Sequence, residues 1–236
     1  MRHHGSVAWL LAKLAAGVVL IAGFGAASQI VSGSQFRIAE VVVTGNELVA
    51  AEDIAATINA GGINAFAVRG RRLERILQAD PAIENVVVRT RLPDRVEVMI
   101  HERAPAIVWE ATGRTLLADA RGVALRDGAR DDLPVVHAPD GPAPDTGGRV
   151  DPDAVRMAQS LAPRMEAEGL GGGQIEYRPS TGATIILPDS VRVALGSPDD
   201  LEDKLAAYRA IRGYLDQNRM HAQFIDVRFL ERPYFR

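Results

Sequence analysis

The 236-residue chain has no cysteine, which excludes disulfides, zinc ribbons, thiol nucleophiles and redox motifs together. Lysine is almost absent. Lys13 and Lys204 stand beside 25 arginines, and the 27 basic residues are outnumbered by 30 acids for a net charge of −3. Without a basic excess gathered on one face, a nucleic-acid binder is excluded. Enzyme motifs are missing as well: no Walker loop, Gly-x-Ser-x-Gly elbow, Ser-x-x-Lys pair or His-Glu-x-x-His helix occurs. Histidine is scarce and scattered at positions 3, 4, 101, 137 and 221, so no metal-ligand cluster is expected. His101 and Glu102 are adjacent on a predicted strand and point to opposite faces, which disfavours a joint acid–base role. Asp119, Asp226 and Glu102 could pair across a fold, but the residues flanking Asp119 and Asp226 favour turn and cross-strand ionic roles. The expectation is a chain with no catalytic residue, cofactor or metal. Composition is otherwise ordinary, with 47% hydrophobic and 24% charged residues, and the length fits one or two domains.

There is one long hydrophobic run. Positions 14–31, LAAGVVLIAGFGAASQIV, carry no charge over 18 residues and as a helix span about 27 Å, enough to cross a bilayer. Trp9 and Lys13 are interface-type residues before it. Arg2 and Lys13 precede the run and the first acid is Glu40, so the charge asymmetry predicts a cytoplasmic N-terminus, a tail over 1–13 and an exported remainder. A signal peptide cleaved before Ser28 is the alternative. The anchor is preferred because the apolar stretch continues through Ile30 and Val31.

Beyond a polar link, β-branched residues from Phe36 to Thr44 predict a strand closed by Gly45-Asn46. Ile54 and Ile58 mark a short helix ended by Gly61-Gly62. A second helix runs over 70–79, with Leu73, Ile76 and Leu77 inward and Pro81 as its stop. The basic cluster Arg69, Arg71 and Arg72 reads as a solvated helix face, with phosphate or lipid-headgroup contact as the alternative. Strands over 86–91 and 95–102 flank a Leu92-Pro93-Asp94 turn, with Val96, Val98 and Ile100 on one face. The order is β-α-α-β-β. Short strands follow around Val108, Leu116, Ala124 and Val135, and then the Pro/Gly-rich loop 138–148. Asp151-Pro152 predicts a capped helix with Val155, Ala158 and Leu161 inward, ended or kinked at Pro163. Three strands over 174–177, 183–187 and 191–195 lead to a helix over 198–216, capped by Ser197. A last strand is predicted over 224–230, with 231–236 as tail.

This order resembles the FtsQ/DivIB family of bacterial cell-division proteins. Matching segments are Ile38 to Asn46, Val88 to Val96, Glu102-Arg103-Ala104-Pro105-Ala106, Leu117 to Gly122, Leu195-Gly196, and Phe224-Ile225-Asp226-Val227-Arg228-Phe229. None is specific alone; their joint order and spacing is. The resemblance implies an α+β protein: a single N-terminal transmembrane helix at 14–31, a POTRA domain at 36–104, and a mostly antiparallel β domain with flanking helices at 105–230. It further implies a non-enzymatic divisome scaffold in the inner membrane at the division septum, its ectodomain periplasmic. That scaffold would bind FtsB and FtsL beside other divisome membrane proteins and help control septal wall synthesis. The partner surface is expected on the last strand, at Phe224, Ile225, Asp226, Val227, Arg228, Phe229 and Leu230. As the terminal strand it has no successor to cover it, so a partner strand could add at its edge. An interior position is the alternative. On this reading Phe229 anchors the partner, Arg228 pairs with a partner acid, and 231–236 closes over the joint. Two other functions compete: a POTRA-containing export or outer-membrane assembly factor, which needs transmembrane β-strands that the remaining length does not supply, and a periplasmic enzyme.

Overall fold

The computed structural model describes residues 4–236, and in the first helix it leaves aside the side chains at 4–8, 10–12, 26–28 and 30. The expectation placed on Arg2 falls outside the described residues, and Ser28, before which cleavage was the alternative, lies within the first helix. The chain divides into two compact units, Met1–Ala79 with Asn85–His101, and Asp80–Glu84 with Glu102–Arg236.

The first unit opens with helix α1 (His4–Val31), 28 residues with no polar face. Its apolar side chains are not packed away: Leu20 and Ile21 are 74% exposed and Phe24 78%. Lys13 Nζ lies 3.5 Å over the Trp9 ring. Among the described residues no helix is long and apolar enough to cross a membrane.

Strand β1 (Glu40–Thr44) follows, then α2 (Ala51–Ile58), α3 (Gly70–Leu77), β2 (Ile83–Arg91) and β3 (Arg95–Glu102), in the sheet order β1-β3-β2. Strand β1 runs parallel to β3, Val43 opposite Val98. Alternation sends Val96, Val98 and Ile100 inward at 0–7% exposure, with Ile54, Ile58 and Leu77 of the helices also buried. Two helix ends depart from expectation. Helix α2 stops at Asn59, whose left-handed backbone (φ 45°) bonds back to Ala55 O, before the glycines are reached. Helix α3 ends at Leu77, and Ile76 is 41% exposed rather than inward. The free edge of β2 is partly covered, since Val88 N–H donates to Glu74 Oε1 at 3.0 Å.

The second unit is a nine-stranded sheet with two helices. Its strands are β4 (Pro105–Ala111), β5 (Arg114–Asp119), β6 (Ala124–Asp127), β7 (Val135–His137), β8 (Gln174–Arg178), β9 (Gly182–Ile186), β10 (Arg192–Gly196), β11 (Phe224–Asp226) and β12 (Tyr234–Phe235). They are ordered β12-β11-β10-β9-β8-β7-β4-β5-β6. Three neighbour pairs are parallel, β4·β7, β7·β8 and β10·β11, and the other five are antiparallel. Parallel neighbours need a long crossover. Helix α4 (Pro152–Leu161) supplies one between β7 and β8, and α5 (Leu201–Gln217) another between β10 and β11. Asp151 caps α4 through Asp153 N–H, and Val155, Ala158 and Leu161 join Ile185, Val193, Leu195, Leu205, Tyr208 and Ile225 in one buried cluster.

Helix α5 does not start as predicted. Its N-cap is Asp200 in the left-handed region, with no side-chain cap bond. Ser197 instead takes the Lys204 ammonium on its carbonyl at 2.9 Å and its hydroxyl at 3.3 Å. Asp119 fills the turn role expected of it, accepting from Arg121 and Val123 N–H.

The predicted final strand is the main correction. Only Phe224–Asp226 is strand, and β12 pairs antiparallel outside it, Ile225 opposite Phe235 and Asp226 opposite Tyr234. Strand β11 is therefore interior. The segment expected as a tail over the joint holds the edge strand of this chain's own sheet.

Candidate functional site

The strand registers build one transverse row across the second sheet: Glu110, His137, Glu176, Thr184, Ala194, Asp226 and Tyr234 are successive partners. Their chain neighbours Trp109, Val136, Ile175, Ile185, Val193 and Ile225 belong to the buried cluster under the helices, so alternation puts the row on the opposite face. That face is polar. Glu110 and His137 pair at 2.8 Å, while Glu176 receives Arg178 Nε at 2.9 Å and Arg192 at 3.4 Å. With Glu176 bridged to two guanidiniums, the Glu–His–Glu row is not a metal site, and among the described residues no group of three His, Asp or Glu is arranged to hold a metal ion.

Toward β12 the face opens into a groove of about 940 Å³, bordered by Arg178, Arg192, Arg228, Arg236, Thr184 and Phe224. Arg178 is anchored by Glu176 and Asp140, whose hydrogen bonds in that order raise its pKa. Asp226, 2% exposed, accepts Arg228 N–H at 3.0 Å and the guanidinium at 2.6–3.1 Å. That hydrogen bonding raises the Arg228 pKa against the opposing effect of burial. Arg236 stacks over Phe224, 5.3 Å from the ring centre.

The seven residues predicted for the partner surface divide. Ile225, Asp226 and Val227 are buried at 0–2%, so their side chains serve the core and the Arg228 clamp. Phe224 and Arg228 are half-buried and border the groove or its rim. Phe229 and Leu230 are exposed, Phe229 at 68%. Arg228 is thus committed to Asp226 in its own chain rather than left free for a partner acid.

Tyr234–Phe235 were missed as strand. Phe224 and Arg236 exchange both backbone hydrogen bonds, at 3.1 and 3.0 Å. In an antiparallel ladder the next residue then points its N–H and C=O the other way, which turns those of Phe235 to the outer edge. Pro233, without an N–H, precedes this edge and shortens it. Tyr234 and Phe235 after a proline were the available signal, but two residues give no periodicity to read. Arg178 and Arg192 lie far apart in sequence, and only the β8-β9-β10 pairing brings them together.

Residues 36–103 match the family model "POTRA domain, FtsQ-type", and residues 107–228 match "Cell division protein FtsQ/DivIB, C-terminal". Among curated proteins, the Cell division protein FtsQ of Chloroflexus aurantiacus is 28% identical over 221 residues, covering 92% of this chain and 79% of that protein. Its counterpart in Neisseria gonorrhoeae is 26% identical over 150 residues, 63% of this chain and 57% of the relative.

Proposed function

The chain belongs to the FtsQ/DivIB family of cell division proteins, and from that membership we propose that it is a non-catalytic, membrane-anchored scaffold of the division machinery that captures FtsB and, with it, FtsL. Helix α1 is the anchor in this reading, with a cytoplasmic N-terminus and the two units outside the inner membrane. Support comes from the charge-free run at 14–31, from apolar side chains exposed around the helix, and from Lys13 stacked on Trp9 before the run. The reading gives FtsB the β12 edge, in place of the β11 edge expected from the sequence.

The single observation that carries the partner assignment is the outward backbone of Phe235 on a terminal edge strand, beside exposed Phe229 and Tyr234. Few hydrogen bonds are available on so short an edge, so selectivity falls to side chains: Phe229 as an apolar anchor, and the arginine-bordered groove as a seat for carboxylates. The test is capture of the FtsB ectodomain by the full chain, with residue-level hydrogen exchange. The Phe235 amide gains protection on binding, and Phe229→Glu weakens capture at least about tenfold, the scale of a hot-spot residue. Met220→Glu, exposed elsewhere, leaves it unchanged. A Phe235 amide indifferent to FtsB, with Phe229→Glu binding as the parent does, removes the assignment.

A further inference from the structure

The arginine cluster that the sequence leaves as a solvated face has a setting in the fold. The Val31 carbonyl, at the end of α1, accepts the Asn64 side-chain amide at 2.8 Å. Asn64 also opens a one-turn 3-10 segment (Ala65–Ala67) by accepting Phe66 N–H. The Phe66 ring, 53% exposed, leans on Phe36 with centroids 5.2 Å apart, and Ile63 is 44% exposed. Arg37 bonds Gly62 O, so segment 36–38 and segment 62–64 are held side by side at the helix end.

Ile63 lines a cleft of about 330 Å³ together with Ile76, Leu73, Arg69 and Arg72, and no carboxylate lines it. Arg69, Arg71 and Arg72 are exposed, and among the described residues none of them has a side-chain hydrogen bond or ion pair. Two exposed apolar side chains and a cleft bordered by Arg69 and Arg72, with the exposed Arg71 beside them in α3, therefore lie near the end of α1, whose last 18 residues carry no charge.

From this juxtaposition we propose that the 62–76 face of the first unit lies on the outer surface of the lipid bilayer, with Phe66 and Ile63 inserted among the acyl-chain ends and Arg69, Arg71 and Arg72 on lipid phosphates. The proposal rests on the reading of α1 as the membrane anchor. The 18-residue span places Val31 at the edge of a roughly 30 Å hydrocarbon layer, which is the level at which such residues partition. Anionic lipid adds attraction of ~5-fold per arginine near the surface. The face is then a second, reversible membrane contact that sets the first unit against the bilayer.

The absence of cysteine allows single nitroxide labels on the full chain, reconstituted in vesicles of phosphatidylethanolamine and phosphatidylglycerol. Collision with lipid-soluble oxygen is compared with collision with an aqueous nickel chelate. Labels at Val19→Cys report the hydrocarbon core, labels at Ile63→Cys and Phe66→Cys report the headgroup boundary, and a label at Met220→Cys reports water. Arg69→Glu, Arg71→Glu and Arg72→Glu together raise the aqueous collision rate at position 66 several-fold and leave position 19 in lipid. In phosphatidylcholine vesicles the position 66 label of the parent shifts the same way. A label at 66 as open to water as the one at 220, while 19 stays in lipid, overturns the membrane contact and spares the anchor. Shielding of 66 from both colliders also overturns it, in favour of a protein partner on the cleft. A label at 19 in water overturns the anchor and this proposal together.

Discussion

The two units treat their charge differently. In the second, guanidiniums work as cross-links: Arg103 faces Asp119, Arg114 Asp127, Arg126 Asp80, Arg164 Glu202, Arg209 Glu168, and Arg228 the buried Asp226. In the first, Arg91 and Arg95 pair with Glu97 and Glu40 on the sheet, while Arg69, Arg71 and Arg72 make no ion pair among the described residues. A planar fork can satisfy two acceptors at once, which suits Arg rather than Lys to stitching loops and strands. Uncompensated guanidiniums are left where the fold does not use them. The difference therefore locates a face whose charge is not spent on folding.

The comparison can be broken at several points. The largest effect is expected in the small core of the first unit. Val98→Asp places a carboxylate at a position with 0% exposure and should cost about 4 kcal/mol, with amides of β1 and β3 losing hydrogen-exchange protection together. Unchanged protection would mean that Val98 does not face the core. Leu161→Ala in the second unit removes a fully buried side chain beneath the sheet and should cost about 3 kcal/mol in chemical denaturation; a cost under about 1 kcal/mol would show a core able to collapse onto the gap.

Asp226→Asn keeps the volume but takes the charge from the Arg228 clamp, at about 2 kcal/mol. Arg228 then becomes mobile, visible as loss of its slowly exchanging Nε–H signal. Retention of that signal would separate the clamp from the carboxylate.

The smallest effect concerns the buried cation that no carboxylate directly contacts. Burial lowers the Lys204 pKa, against the opposing field of Asp200 and then Asp199. Between its folded pKa and the ordinary 10.5, the unfolded chain binds more protons than the native one, so stability rises with pH. Lys204→Met should remove that rise, and wild type should gain stability relative to it as pH is raised toward 10.5. A parallel pair of stability curves across that window would mean that Lys204 titrates alike in both states.

Much of the fold was legible because periodicity survives burial. Val96, Val98 and Ile100 alternate inward, Ile54 and Ile58 lie one helical turn apart, and Asp151-Pro152 opens a helix with Val155, Ala158 and Leu161 buried. The misreadings lie at ends. Asn59 stops α2 by adopting a left-handed backbone, Asp200 replaces Ser197 as cap, and Ser197 binds Lys204 instead. Each is a local choice among several polar residues, settled by which carbonyls and ammonium the fold leaves to be satisfied. The bounds of the last strand were misread for a related reason. Alternation over 224–230 was extended past Asp226, where the chain leaves the ladder with Val227 still buried.

What the sequence alone determined is the composition of each element: an uncharged run over 14–31, a β-α-α-β-β order, and a cysteine-free, arginine-rich chain without motif chemistry. These are local properties, readable from hydropathy, period and spacing. Tertiary structure decided which strand stands at the edge. The α5 crossover returns the chain parallel to β10 as β11, and a turn then folds two further residues back as β12. Strand order depends on where a crossover lands and on backbone hydrogen bonds that any side chain can make, so residues 224–230 could not announce by themselves that β11 is interior. The arginine groove is of the same kind, because Arg178, Arg192, Arg228 and Arg236 meet only through pairing between strands distant in the chain.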